Sequence, residues 1–79
     1  MMSQREQNRE GNYYVTCLNG KYYRFLGPFP NNHRAALDAV DAVRKKAEEI
    51  DPRCAFLAFG TCRTELSDDA PGSMNDIFS

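Results

Sequence analysis

An Asn-Gly dipeptide at positions 19 and 20 restricts the fold of this chain more than any other feature. Residues 13–18 and 21–26, on either side of it, are rich in aromatic and β-branched side chains. Asn-Gly favours a two-residue hairpin turn, because both central residues of that turn have positive φ. The sequence therefore predicts an antiparallel hairpin in which Leu18 pairs with Lys21.

The predicted register divides the hairpin into two faces, because side chains alternate along a strand. One face holds Tyr13, Val15, Cys17, Tyr22, Arg24 and Leu26. The other face holds Tyr14, Thr16, Leu18, Lys21, Tyr23 and Phe25. Neither face is cleanly polar. The first has the more compact aliphatic set, and we expect it to pack against a helix.

An amphipathic helix is predicted from about Asn32 to Ile50. Its apolar residues recur at spacings of four and three: Ala36, Val40, Val43, Ala47 and Ile50. Asn31 or Asn32 can cap the helix start. Asp51-Pro52 ends the helix, because the residue before a proline is pushed out of the α region.

The segment from Arg53 to about Glu65 indicates a third strand, which Gly60 interrupts. If the helix crosses back over the sheet, this strand runs antiparallel to the first strand and beside it. The expected fold is therefore α+β with a ββαβ layout: a three-stranded antiparallel sheet in order 2-1-3, packed on one helix. Phe56 and Phe59 would leave the third strand on opposite faces. Because one helix covers only one face, we expect a homodimer that buries the other.

Composition sets the domain limits. Residues 1–11 are interpreted as a flexible N-terminal segment, residues 12–65 as a single domain and residues 66–79 as a disordered acidic tail. The domain carries eight basic and six acidic residues, a surplus too small to indicate electrostatic capture of nucleic acid. The chain has no signal peptide and no apolar run of about twenty residues, so we expect a cytoplasmic protein without membrane contact.

The sequence contains no catalytic or metal-binding constellation. Cys17, Cys54 and Cys62 form no Cys-x-x-Cys pair, and His33 lies far from them along the chain. We therefore expect no metal, no cofactor and no enzyme activity. Cys62 is the best candidate for an accessible thiol that could cross-link two chains.

A binding role is expected instead, because the sheet should leave one face and two edges exposed. Aromatic and basic side chains on such surfaces often anchor protein interfaces. The candidate partner-binding residues are Tyr14, Lys21, Tyr23 and Arg63.

Several short motifs resemble small proteins of bacteriophages and prophages. They are Tyr14-Val15-Thr16, Asn19-Gly20, Leu26-Gly27-Pro28-Phe29, Ala35-Ala36-Leu37, Asp51-Pro52-Arg53 and Phe59-Gly60-Thr61. With its size and ββαβ layout, the chain is similar to the anti-CRISPR proteins, in particular to inhibitors of the type I-C system. The resemblance implies a protein that binds the CRISPR surveillance complex of the infected host and prevents it from engaging target DNA. The alternative is a small phage nucleic-acid-binding or regulatory protein whose tyrosines stack on bases.

Overall fold

A computed structural model describes residues 9–78 as a three-stranded antiparallel sheet with one long helix. The elements are β1 (Asn12–Asn19), β2 (Lys21–Pro30), α1 (His33–Ile50), a 3₁₀ helix (Pro52–Phe56), β3 (Ala58–Thr64) and α2 (Asn75–Phe78). The strand order is β2-β1-β3, and both strand pairs are antiparallel. The predicted α+β fold with sheet order 2-1-3 is confirmed. Most of the segment 1–11, which we expect to be flexible, lies outside the described residues.

The limits of α1 follow its sequence signals. Asn32 Oδ1 accepts a hydrogen bond from the Ala35 amide at 3.1 Å and caps the helix start. Asp51 has an extended backbone and precedes Pro52, as expected from the restriction that proline places on its predecessor. The core between α1 and the sheet is built on Tyr13, Val15, Ala36, Val43, Ala47 and Met74.

The hairpin register differs by one residue from the prediction. Leu18 pairs with Tyr22 rather than with Lys21, and Gly20 alone stands between Asn19 and Lys21. The predicted turn needs positive φ at both Asn and Gly, whereas here only Gly20 has it, at +80°. A slip of one residue moves every side chain of a strand to the other face of the sheet.

Residues 21–25 of β2 therefore lie on the face opposite to the predicted one. The register shifts again between Thr16 and Val15, so that Leu26 is opposite Val15 and packs against the core on the predicted side. Tyr23 pairs with Cys17, and Phe25 packs against Phe59 with 6.1 Å between the ring centroids. The rings of Tyr23 and Phe25 lie on the α1 side of the sheet. Arg24 pairs with Thr16 on the opposite face. The assignment of Arg24 to the helix side and of Tyr23 and Phe25 to the other side was wrong.

β3 is shorter than the predicted strand Arg53–Glu65, because residues 52–56 form a 3₁₀ helix. Asp51 Oδ1 accepts a hydrogen bond from the Arg53 amide at 3.1 Å, a local arrangement that competes with extended structure. Phe56 ends this helix with 89% of its surface exposed, whereas Phe59 packs on the α1 side. The premise that both phenylalanines leave one strand on opposite faces is therefore wrong.

The C-terminal segment 66–78, which we call the strap, packs along β2 and differs from the disordered tail that its composition predicts. The Ser73 and Met74 amides donate hydrogen bonds to the carbonyls of Arg24 and Phe25 at 3.0 and 2.7 Å. The Met74 side chain is 7% exposed and joins the core. The strap thus occupies part of the outer edge of β2, one of the two edges expected to be open.

Candidate binding surface

One end of the molecule brings the hairpin loop, the C-terminus of α1 and the 3₁₀ helix together. Leu18, near the end of β1, pairs with Tyr22 of β2 and with Ala58 of β3, which directly follows the 3₁₀ helix and Leu57. We call this region the hairpin end. Among residues 9–78, five of the eight exposed large hydrophobic side chains lie here: Leu18, Tyr22, Tyr23, Ile50 and Phe56. Clustered exposed apolar groups mark interaction sites on many proteins.

The hairpin tip, residues 18–23, combines aromatic rings with a cation. Tyr22 is 71% exposed and Tyr23 is 41% exposed. The two rings point to opposite faces of the sheet, because successive side chains of a strand alternate. Lys21 Nζ lies 5.7 Å from the centre of the Tyr23 ring, a distance that allows a cation–π interaction.

A groove of about 490 Å³ opens on the α1 side of the hairpin end. Tyr23 and Phe25 of β2 contribute to its lining from the sheet, and Cys54 and Leu57 contribute from the connection between α1 and β3. These four side chains make the interior largely apolar. The groove can therefore accept an apolar group that carries few hydrogen-bonding atoms.

An ion pair lies at the edge of this groove. Arg53 Nε and Nη2 donate hydrogen bonds to Asp51 Oδ1 and Oδ2 at 3.0 and 2.9 Å. These hydrogen bonds lower the pKa of the Asp51 carboxyl, so Asp51 is negatively charged at neutral pH. The charges of Asp51 and Arg53 offset each other. The nearby Lys21 therefore leaves this edge of the groove with a net positive charge.

The structure brings two of the four predicted partner-binding residues to the hairpin end, namely Lys21 and Tyr23. Tyr14 is not there, and its exposure is 0%. The prediction of Tyr14 as a surface contact was wrong. Arg63 pairs with Tyr13 at the opposite end of the sheet, and its Nη1 donates a hydrogen bond to the carbonyl of Glu10 at 2.9 Å.

The strap accounts for the burial of Tyr14. The Tyr14 hydroxyl donates a hydrogen bond to the Ala70 carbonyl at 2.8 Å. The Arg24 guanidinium lies 4.8 Å from the centre of the Tyr14 ring, and it donates two hydrogen bonds of 2.9 Å to Asp68 of the strap. The face expected to bind a partner is therefore covered here by the chain itself.

The three cysteines are free thiols. Cys62 lies opposite Tyr14 in the β1–β3 pair and is half-buried. Burial raises the pKa of the Cys62 thiol, which lowers its reactive thiolate fraction. Cys17 and Cys54 both line the groove, and burial, together with the neighbouring Cys54, raises the pKa of Cys17. Cys62 is thus less accessible than the sequence suggests.

Sequence reasoning missed Phe56 and Arg53 as surface residues. The available signal was Asp51-Pro52, because an aspartate before a proline can start a short helix by accepting the next free amide. Reading these residues as the beginning of a strand placed Phe56 on a sheet face. In the structure it projects from the end of the 3₁₀ helix.

Within residues 9–78, no three His, Cys, Asp or Glu side chains are arranged to hold a metal ion. In the same range, no helix is long and apolar enough to cross a membrane. His33 is buried, stacks on Tyr13 with 4.6 Å between the ring centroids, and has Nε2 2.9 Å from Thr61 Oγ1.

Comparison with known proteins gave no match to a protein-family model, to a curated protein or to a solved structure.

Proposed function

We propose that this protein is a non-enzymatic inhibitor that binds a type I CRISPR surveillance complex through its hairpin tip. It acts in the cytoplasm of the infected bacterium and prevents the complex from engaging target DNA. The partner class rests on the resemblance of residues 13–64 to anti-CRISPR proteins. The contact surface rests on the shape and exposure of the tip.

The single observation that carries the proposal is the exposure of apolar side chains at the tip. Leu18, Tyr22 and Tyr23 keep apolar surface in water, and each would contribute to affinity when a partner covers it. Tyrosine is enriched among the residues that dominate protein interfaces. Both tyrosines lie on β2, whose backbone is already hydrogen-bonded to β1. Binding therefore orders little additional chain.

Lys21 adds specificity to this surface. Its ammonium group is exposed beside the Tyr23 ring, where it can meet a carboxylate at the rim of a protein interface. Charges in that position mainly affect association rate and partner choice. Inhibition by occupying a surface requires affinity and shape, and it requires no catalytic group.

The test is target-DNA binding by purified type I-C complex, with and without excess inhibitor. Wild-type protein should block DNA binding. The double variant Tyr22→Ala/Tyr23→Ala should inhibit at least about tenfold less well, since two interface aromatics are removed. Ile77→Ala removes a side chain that is also exposed, on α2 and away from the tip. It should inhibit like wild type.

Circular dichroism of each variant checks that the fold is retained. DNA binding and cleavage that excess wild-type protein leaves unchanged, in type I-C and in other type I complexes, would contradict the inhibitor function. Equal inhibition by wild type and the double tyrosine variant would instead contradict the hairpin tip as the contact surface.

Nucleic-acid binding is the second candidate function, and the composition of the hairpin end favours it. Exposed tyrosines close to Lys21 and Arg53 could stack on bases and contact phosphates, as in proteins that bind single strands. The measurement is the affinity for labelled single-stranded DNA at increasing salt concentration. Affinity that falls steeply with salt, together with an unaffected surveillance complex, would favour this second function.

A further inference from the structure

We propose that the free protein forms a two-fold symmetric dimer in which Phe56 of each copy fills the groove of the other copy. The inference concerns the protein without its target, so it goes beyond the inhibitor function and does not depend on it. It replaces the dimer expected from the sequence, in which an uncovered sheet face was the interface.

Phe56 has the geometry of an inserting side chain. It ends the 3₁₀ helix and is 89% exposed. Its neighbours Cys54 and Leu57 line the groove, whereas Phe56 does not. The phenyl ring therefore projects from the connection that bounds the groove, outward from its own molecule. Burial of a phenylalanine side chain is strongly favourable. In the monomer the Phe56 side chain remains in water and does not contribute this free energy.

The groove has the chemistry to receive this ring. The groove is open to solvent on one side, and its volume of about 490 Å³ is more than a phenyl ring occupies. Tyr23 and Phe25 contribute aromatic rings to the lining, and edge-to-face or offset contacts between such rings stabilise the association beyond simple burial. Cys54 and Leu57 complete an apolar environment.

The positions of the ring and the groove favour a second copy as the occupant. A projecting side chain and a recess next to each other form a self-complementary surface. A two-fold axis beside the 3₁₀ helix brings each Phe56 to the groove of the other copy, which is the isologous contact of most dimers. Asp51 and Arg53 neutralise each other at the groove edge, and the exposed Lys21 side chain can keep its charge in water when the two edges face each other.

The area available indicates a weak dimer. The two exposed aromatic side chains on the groove side, Tyr23 and Phe56, offer on the order of 250 Å² per copy, at roughly 150–250 Å² for a complete aromatic side chain. Stable interfaces bury about 800 Å² per partner. Dimerisation should therefore depend on protein concentration, and a tighter partner at the hairpin end can displace the second copy.

Sedimentation equilibrium over a range of concentrations, in the presence of reductant, tests the dimer. Wild-type protein should change from 9.0 kDa toward twice that mass. Phe56→Ala should weaken dimerisation by about 100-fold, because each dimer loses two inserted rings. Because Phe56 is exposed in the monomer, Phe56→Ala should leave the fold intact. Ile77→Ala should dimerise like wild type.

Alkylation of Cys54 by iodoacetamide gives an independent readout of groove filling. In the dimer Phe56 of the second copy covers Cys54, so alkylation of this thiol should slow as concentration rises. Phe56→Ala should abolish that slowing. Cys62, on the other face of the sheet, serves as the internal reference and should react at a constant rate.

A monomer mass at every concentration would overturn the proposal. A dimer that Phe56→Ala leaves intact, or one that reductant abolishes, would also overturn it. None of these measurements includes a CRISPR component. Failure of the inhibitor function and failure of the dimer are therefore separate results.

Discussion

The side chains at the hairpin end and those on the sheet face under the strap differ in exposure and in hydrogen bonding. Under the strap, polar groups are buried and bonded: Asn12 is 2% exposed, and its Nδ2 lies 3.0 Å from the Leu66 carbonyl and 3.2 Å from the Asp68 carbonyl. At the hairpin end, Tyr22 and Phe56 are apolar and extend into solvent. One region has its contacts completed within the chain, and the other does not.

This difference separates side chains that specify the fold from side chains that are available for binding. A buried amide or hydroxyl with partners holds segments together, and losing it leaves other polar groups unsatisfied. An exposed aromatic ring contributes little to the stability of the monomer. We therefore assign stability mainly to the core and the strap, and interaction to the hairpin end.

Two tyrosines should show the largest contrast. Tyr14→Ala removes a completely buried ring and its hydrogen bond to the strap, so it should reduce the free energy of unfolding by about 3–5 kcal/mol. Tyr22→Ala, at 71% exposure, should change it by less than about 0.5 kcal/mol. Urea denaturation measures both variants. Equal losses at the two positions would remove the distinction between the regions.

The strap itself supplies a second contrast between a buried and an exposed residue. Met74→Ala should reduce the free energy of unfolding by about 2 kcal/mol or more, because Met74 joins the core. Ile77→Ala should cost well under about 1 kcal/mol, since Ile77 is 47% exposed. The same urea titration applies. If Met74→Ala left the free energy of unfolding unchanged, the strap would not cover the sheet. The C-terminal segment would then be disordered, as its composition predicts.

The smallest expected effect is a pH dependence at the Arg24–Asp68 ion pair. Hydrogen bonds from Arg24 lower the pKa of Asp68 in the folded protein. The stabilising contribution is therefore complete above the unfolded pKa, about 3.9, and is lost as the pH falls through the lower folded value. Asp68→Asn should be less stable than wild type at neutral pH, and this difference should disappear in strong acid.

Asp69→Asn is the matched control for that comparison, because Asp69 is the neighbouring carboxylate on the strap and forms no ion pair with any residue from 9 to 78. The midpoint of urea unfolding, followed from neutral to acidic pH, measures both variants. A stability difference for Asp68→Asn that persists at the lowest pH would exclude the ion pair as its cause.

The sequence predicts the helix and the strand order well, because both depend on local signals. The spacing of Ala36, Val43 and Ala47 defines the buried stripe of α1, and Asp51-Pro52 marks its end. Chain direction then places β3 beside β1. These inferences need only the period of apolar residues and the restriction on the residue before proline.

The register and the strap could not be predicted in this way. A single backbone angle, negative rather than positive φ at Asn19, shifts β2 by one residue and exchanges the positions of Tyr23 and Arg24. The strap has the composition of a disordered tail, and its order depends on Met74 and on hydrogen bonds to β2, 45 to 49 residues earlier in the chain. Contacts between residues so far apart along the chain cannot be deduced from composition.

The register and the strap together determine which of the predicted contact residues reach the surface. Tyr23 lies on the face opposite to the predicted one, yet it reaches the surface at the hairpin end. Tyr14 was assigned to a sheet face that the strap covers. A sequence-based surface prediction for a small sheet therefore depends on register and on every segment that can fold back over it.

Hydrogen–deuterium exchange of this protein, alone and bound to purified type I-C surveillance complex, tests the division of the molecule most directly. The account predicts that binding slows exchange at residues 18–23 and leaves residues 66–74 unchanged. Slower exchange at residues 66–74, with residues 18–23 unaffected, would contradict it. That result would place the contact surface on the strap rather than at the hairpin end.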